Sequence, residues 1–124
     1  MNEMINPSTR IAKQFRLDGK VAIVTGASKG IGESIARGLA EFGAQVVVSS
    51  RRQESVDAVA AAMVADGLDA IGVACKVGVI DDMKALYQAT VDKYGGVDII
   101  INNAATNPVY APVEDVSDEA FDKI

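Results

Sequence analysis

Four short runs are apolar almost without a break: VAIVT (21–25), QVVVSS (45–50), AIGVAC (70–75) and VDIIIN (97–102). A strand with one wet face alternates apolar and polar residues, and these runs do not. Continuous Val and Ile over such lengths is the pattern of strands buried on both faces, as in a parallel sheet. Between the runs the apolar spacing changes to threes and fours. Ile31, Ile35, Leu39 and Ala40 fall on one helical face, and Gly43 sits where that helix stops. Val56, Val59, Ala60, Met63 and Val64 make a second face that ends at Gly67. Met83, Leu86, Tyr87, Val91 and Tyr94 make a third, opened by Asp81-Asp82 and closed by Gly95-Gly96. The order β-α-β-α-β-α-β predicts an α/β fold with a doubly wound parallel sheet and right-handed crossovers. The expected strand order is 3-2-1-4, which puts the ends of the first and fourth strands at the crevice where such sheets bind ligands.

The flanks read differently. Residues 1–16, MNEMINPSTRIAKQF and Arg16, are expected to form an arm or crossing segment, leaving 17–124 as one domain. Glu3 and the lack of a long apolar stretch argue against a targeting peptide. After the fourth strand, NAATNPVYAPVEDV reads as a loop with two prolines. Ser117 then resembles an N-cap, and DEAFDKI begins a helix inside which the chain stops.

Charge and residue usage narrow the chemistry. Seventeen acidic against 12 basic residues give a formal charge of −5, which argues against nucleic acid as a partner. No run is long enough for a membrane span, so no membrane partner is expected. With no histidine and a single cysteine, Cys75, the usual zinc sites, histidine acid–base catalysis and an internal disulfide are excluded. A reducing, cytoplasmic setting fits.

The candidate chemistry sits in TGASKGIG (25–32), directly after the first strand. Gly26 permits a sharp turn, Gly30 lets a pyrophosphate approach the backbone, and Gly32 lets the helix pack close to the strand. The N–H groups and dipole at the helix start would then hold phosphates. A plain strand-to-helix turn without a ligand is the competing reading. A P-loop would require Gly-Lys-Ser/Thr where GIGES stands, and a methyltransferase would place an acid where Ser50 stands.

These residues resemble a known family. TGASKGIG is similar to the Thr-Gly-x-x-x-Gly-x-Gly motif of the short-chain dehydrogenase/reductase family, and NNAA (102–105) to its Asn-Asn-Ala-Gly. LDGKVAIVTG (17–26) and SDEAFDKI (117–124) resemble that family's entry strand and next long helix. The resemblance implies a Rossmann fold and an NAD(P)(H)-dependent oxidoreductase acting on a small alcohol or carbonyl, usually as a homo-oligomer. It places Gly26, Ser28, Lys29, Gly30, Ile31 and Gly32 around the pyrophosphate and adenosine ribose, and Val77 at the adenine. Asn103, Ala104 and Ala105 would line the nicotinamide ribose. Asn102 either joins them or ties neighbouring backbone together. Lys76 stands where the family often has an adenine-binding Asp, and Ala105 replaces the motif's last Gly.

The end of the second strand separates NAD from NADP. An acid there would bond both ribose hydroxyls of NAD and repel a 2′-phosphate. Here Ser50, Arg51 and Arg52 occupy that place, and the resemblance puts Lys29 on the same side. Arginine can grip a phosphate in a bidentate way, so NADP(H) is preferred over NAD(H). The alternative is that Arg51 and Arg52 are only solvated surface.

The family's catalytic Tyr-x-x-x-Lys is not in this chain: Val91, Asp98 and Glu114 stand four residues after Tyr87, Tyr94 and Tyr110. The expected reading is therefore the N-terminal, cofactor-binding half of a short-chain oxidoreductase, with no catalytic residue among these 124. A nucleotide-binding module without chemistry and a methyltransferase on a similar fold remain as alternatives.

Overall fold

The computed structural model describes residues 13–103. Strands β1 (Val21–Thr25), β2 (Gln45–Ser50), β3 (Ala70–Ala74) and β4 (Ile99–Asn102) alternate with helices α1 (Gly30–Glu41), α2 (Gln53–Ala65) and α3 (Ile80–Tyr94). The strands form one sheet in the order β3-β2-β1-β4. Each pair is parallel, with Ile23 opposite Val47 on one side and Ile100 on the other. This is the predicted topology. All four strands therefore end at one edge, where Thr25, Ser50, Ala74 and Asn102 lie.

The two faces of the sheet are covered unequally. On one, Ala22, Val24, Val46 and Val48 meet Ala36 and Ala40 of α1 and Val56, Val59, Ala60 and Met63 of α2. Fully burying such a Val contributes roughly 1.5–3 kcal/mol. On the other, Ile23, Val47 and Cys75 meet Leu86 of α3.

The buried helix faces depart from the expected ones in four places. Ile31 is 73% exposed, and Val64, Met83 and Tyr87 are about half exposed. Gly32, Ala36 and Ala40 make the contact for α1, because small residues let that helix lie close to the strands. Ile31 sits in the first turn of α1, after β1 has ended at Thr25, and is left exposed among the described residues. In α3 the buried pair is Leu86 and Thr90. Thr90 is polar and so escapes an apolar count, yet its hydroxyl donates to the Leu86 carbonyl at 2.8 Å and needs no other partner.

Two strand ends also shift. β3 stops at Ala74, although the Cys75 N–H still donates to the Ser50 carbonyl at 2.8 Å. β4 begins at Ile99, because the Asp98 carboxylate turns back to accept the Val21 N–H at 2.9 Å.

Leu17, at the predicted domain start, donates its N–H to the Phe42 carbonyl at 2.8 Å and packs on the larger core.

Candidate functional site

The turn from β1 into α1 is shaped by glycine at three points. Gly26 and Gly30 adopt φ of 61° and 63°, the left-handed region that side chains resist. Gly32 is confined differently: a Cβ there would collide with the Gly26 carbonyl oxygen and lie 2.7 Å from Asn103 Nδ2. That Nδ2 donates to the Gly26 carbonyl at 3.2 Å. The Asn103 N–H donates to Thr25 Oγ1 at 3.1 Å, and the Thr25 hydroxyl donates to Asn102 Oδ1 at 3.0 Å. The ends of β1 and β4 are thus laced together beneath the turn. Asn103 holds main chain, while Asn102 is exposed and bonds a side chain.

Lys29 precedes α1 in extended conformation and supplies no side-chain cap. No side chain therefore occupies the positive end of that helix from the cap position, and a Cβ on Gly30 would meet nothing within 4 Å. Among the described residues the approach to the helix start is open where a phosphate would come in.

The β2–α2 turn lies alongside, since the Ala27 N–H donates to the Ser49 carbonyl at 2.9 Å. The Ser50 hydroxyl folds back onto the Arg52 carbonyl at 3.5 Å. Lys29, Arg51 and Arg52 are exposed. The ion pairs among the described residues are Arg16–Asp18 and Arg37–Asp66, so these three cations are left without carboxylate partners. Gln53, the first residue of α2, was not legible as part of this region. Its amide reaches strand β3, bonding Ala74 and Gly72.

Beyond β3, Val77 is 44% exposed at the same edge. The Lys76 N–H is taken by the Asp82 carboxylate at 3.0 Å. Asp82 was expected to serve the helix dipole; its carboxylate instead reaches past the N-cap Val79 to the Lys76 N–H, six residues back. Ala104 and Ala105 lie outside the described residues. Gly26, Ser28, Lys29, Gly30, Ile31, Gly32, Ser50, Arg51, Arg52, Val77 and Asn103 all fall at the carboxyl edge of the sheet.

Two other groups are poor candidates for chemistry. Burial, and then the charge of Asp82, push the Cys75 thiol up, which suppresses its thiolate. Burial also raises the Tyr94 phenol, reinforced by its donation to Asp69 at 2.8 Å, and Asp69 precedes β3 at the opposite edge of the sheet. Among the described residues no cluster of His, Cys, Asp or Glu could hold a metal ion, and no helix is long and apolar enough to cross a membrane.

The sequence pattern of the short chain dehydrogenase family matches residues 20–124. The chain belongs to that family. It is 44% identical over 117 residues to dehydrogenase/reductase SDR family member 4 of Oryctolagus cuniculus, covering 94% of this chain and 45% of the relative. A hydroxysteroid dehydrogenase from Escherichia coli superposes with a TM-score of 0.75 at 36% identity, over 84% of this chain and 46% of that one. A putative short-chain alcohol dehydrogenase from Sinorhizobium meliloti 1021 gives 0.75 at 39% identity, over 89% and 43%. The chain spans less than half the length of each of these relatives. Short chain dehydrogenases are oxidoreductases that use nicotinamide cofactors, and the glycine turn lies where a dinucleotide is held in such sheets.

Proposed function

We propose that this chain is the cofactor-binding portion of an NADP(H)-dependent short-chain oxidoreductase that interconverts a carbonyl and an alcohol. The observation that carries the reading is the pairing of two turns. The glycine turn presents an uncapped helix start and Lys29, and the adjoining turn presents Arg51 and Arg52, all three without carboxylate partners among the described residues. The residues fit the cofactor. Gly26, Ser28, Gly30, Ile31 and Gly32 would hold the pyrophosphate, and Ser50, Arg51, Arg52 and Lys29 the 2′-phosphorylated ribose. Val77 would meet the adenine, and Asn103, Ala104 and Ala105 the nicotinamide ribose. The bound nicotinamide supplies or accepts the hydride. The chain's own part is to bind and orient it, while proton transfer and substrate contacts come from sequence outside these residues.

The test is titration of the 124-residue chain with NADPH and NADH, read by nucleotide fluorescence. The chain has no tryptophan to interfere. NADPH should bind more tightly; equal affinities would overturn the NADP assignment. Carbonyl reduction, a homo-oligomeric assembly and a cytoplasmic location complete the reading. A longer chain carrying Tyr-x-x-x-Lys should consume NADPH with ketones or aldehydes, and this chain should not.

A further inference from the structure

We infer that Gln53 is the positioning residue for the 2′-phosphate cations, an inference that rests on the NADP reading above. Its side-chain amide behaves like a strand residue added to the outer edge of β3. Oε1 accepts the Ala74 N–H at 2.8 Å, and Nε2 donates to the Gly72 carbonyl at 2.8 Å and to Asp57 Oδ1 at 2.7 Å. Each amide atom faces a group of the opposite kind, so a flipped amide would set donor against donor and acceptor against acceptor. The clamp requires α2 to lie very close to β3, and Gly72 permits this. A Cβ on Gly72 would fall 2.7 Å from the Val56 carbonyl carbon and oxygen.

Arg51 and Arg52 directly precede the clamped residue, and their guanidinium groups have no ion pair among the described residues. What the structure fixes is the main chain that carries them. The Arg52 carbonyl is held by the Val56 N–H at 3.3 Å and by the Ser50 hydroxyl at 3.5 Å. Gln53 fixes the next residue against an edge strand 19 and 21 positions further on. A turn whose main chain is ordered before binding loses less freedom when the phosphate arrives, and the clamp provides that order beside residues 51 and 52.

The experiment compares NADPH and NADH affinities of the 124-residue chain and four variants, with circular dichroism confirming the fold. Gln53→Met keeps the volume and removes all three bonds. It should weaken NADPH roughly tenfold, the loss of about one charged hydrogen bond, and leave NADH within about twofold. Arg51→Ala with Arg52→Ala should do the same, and adding Gln53→Met to that pair should cost little more, because the glutamine acts through the arginines. If Gln53→Met does not fold, Asp57→Ala decides: it removes one partner of the amide and should reduce the NADPH preference about two- to threefold. Equal losses for both nucleotides, or strictly additive effects, would reduce Gln53 to a purely structural clamp and overturn the inference. A wild-type chain with no NADPH preference would overturn the cofactor reading first, and this inference with it.

Discussion

The β1–α1 and β2–α2 turns lie side by side at one edge of the sheet, joined by the Ala27–Ser49 bond. They are held by opposite means. The first is built from absences: Gly26 and Gly30 accept left-handed backbone, and Gly32 leaves room for the Gly26 carbonyl and Asn103. The second is built from a long side chain, Gln53, that reaches across to β3. Under the proposed function the difference matches two tasks. A pyrophosphate is common to NAD and NADP and needs bare backbone. The ribose 2′-position distinguishes them and needs side chains held at a set direction. Changes in the first turn should therefore weaken both nucleotides together, and changes in the second should alter their ratio.

The largest effect is expected from Gly32→Val. The new side chain collides with the Gly26 carbonyl, and overpacking of this kind costs about 3 kcal/mol at the upper end of its range. Urea denaturation should show the loss of stability, and binding of both nucleotides should disappear. A stable Gly32→Val chain that still binds NADPH would break the account of this turn. Next comes Ser50→Asp with Arg51→Ile, which under the proposed function supplies a carboxylate for the NAD ribose and removes a phosphate partner. Charged hydrogen bonds are worth about 1.5–3 kcal/mol each, so preference should move toward NADH by at least about tenfold in parallel titrations. An unchanged ratio would make Arg51 ordinary surface.

Gly30→Ala sharpens the comparison at smaller scale. Space around Gly30 is open, so the cost is the left-handed backbone alone, about 1–2 kcal/mol in chemical denaturation. NADPH and NADH affinities should fall by the same factor. The smallest effect is Asn103→Ala, which frees the Gly26 carbonyl from one hydrogen bond and costs about 1 kcal/mol. Here too the ratio of the two affinities should hold; a shift in ratio would show that the two turns are not separable in this way.

The reading of the sequence divides along the same line. Four Val- and Ile-rich runs and the spacing of glycines were enough for the strands, their parallel order and the place of the glycine turn. Those signals are local: a strand buried on both faces is apolar nearly throughout, as β1 and the middle of β2 are, and a left-handed turn after a strand favours glycine. β4 is equally apolar, yet Ile100 is 63% exposed, and the expected burial of both its faces does not hold among the described residues. The helix faces were read less well. Counting large apolar residues put Ile31, Val64, Met83 and Tyr87 inside, whereas Gly32, Ala36 and Thr90 are buried. Whether a helical position is covered depends on where the helix stands against the sheet, and a periodic pattern carries no such distance.

What the sequence determined by itself was the identity of the carboxyl edge: glycines at 26, 30 and 32, no acid at 50, and arginines at 51 and 52. What only the tertiary structure decided was how those residues are held. Asn103 meets Gly26 across 77 positions of chain, and Gln53 meets Gly72 and Ala74 across 19 and 21. Neither bond leaves a trace in local pattern, because each exists only after parallel pairing has brought remote segments to the same edge.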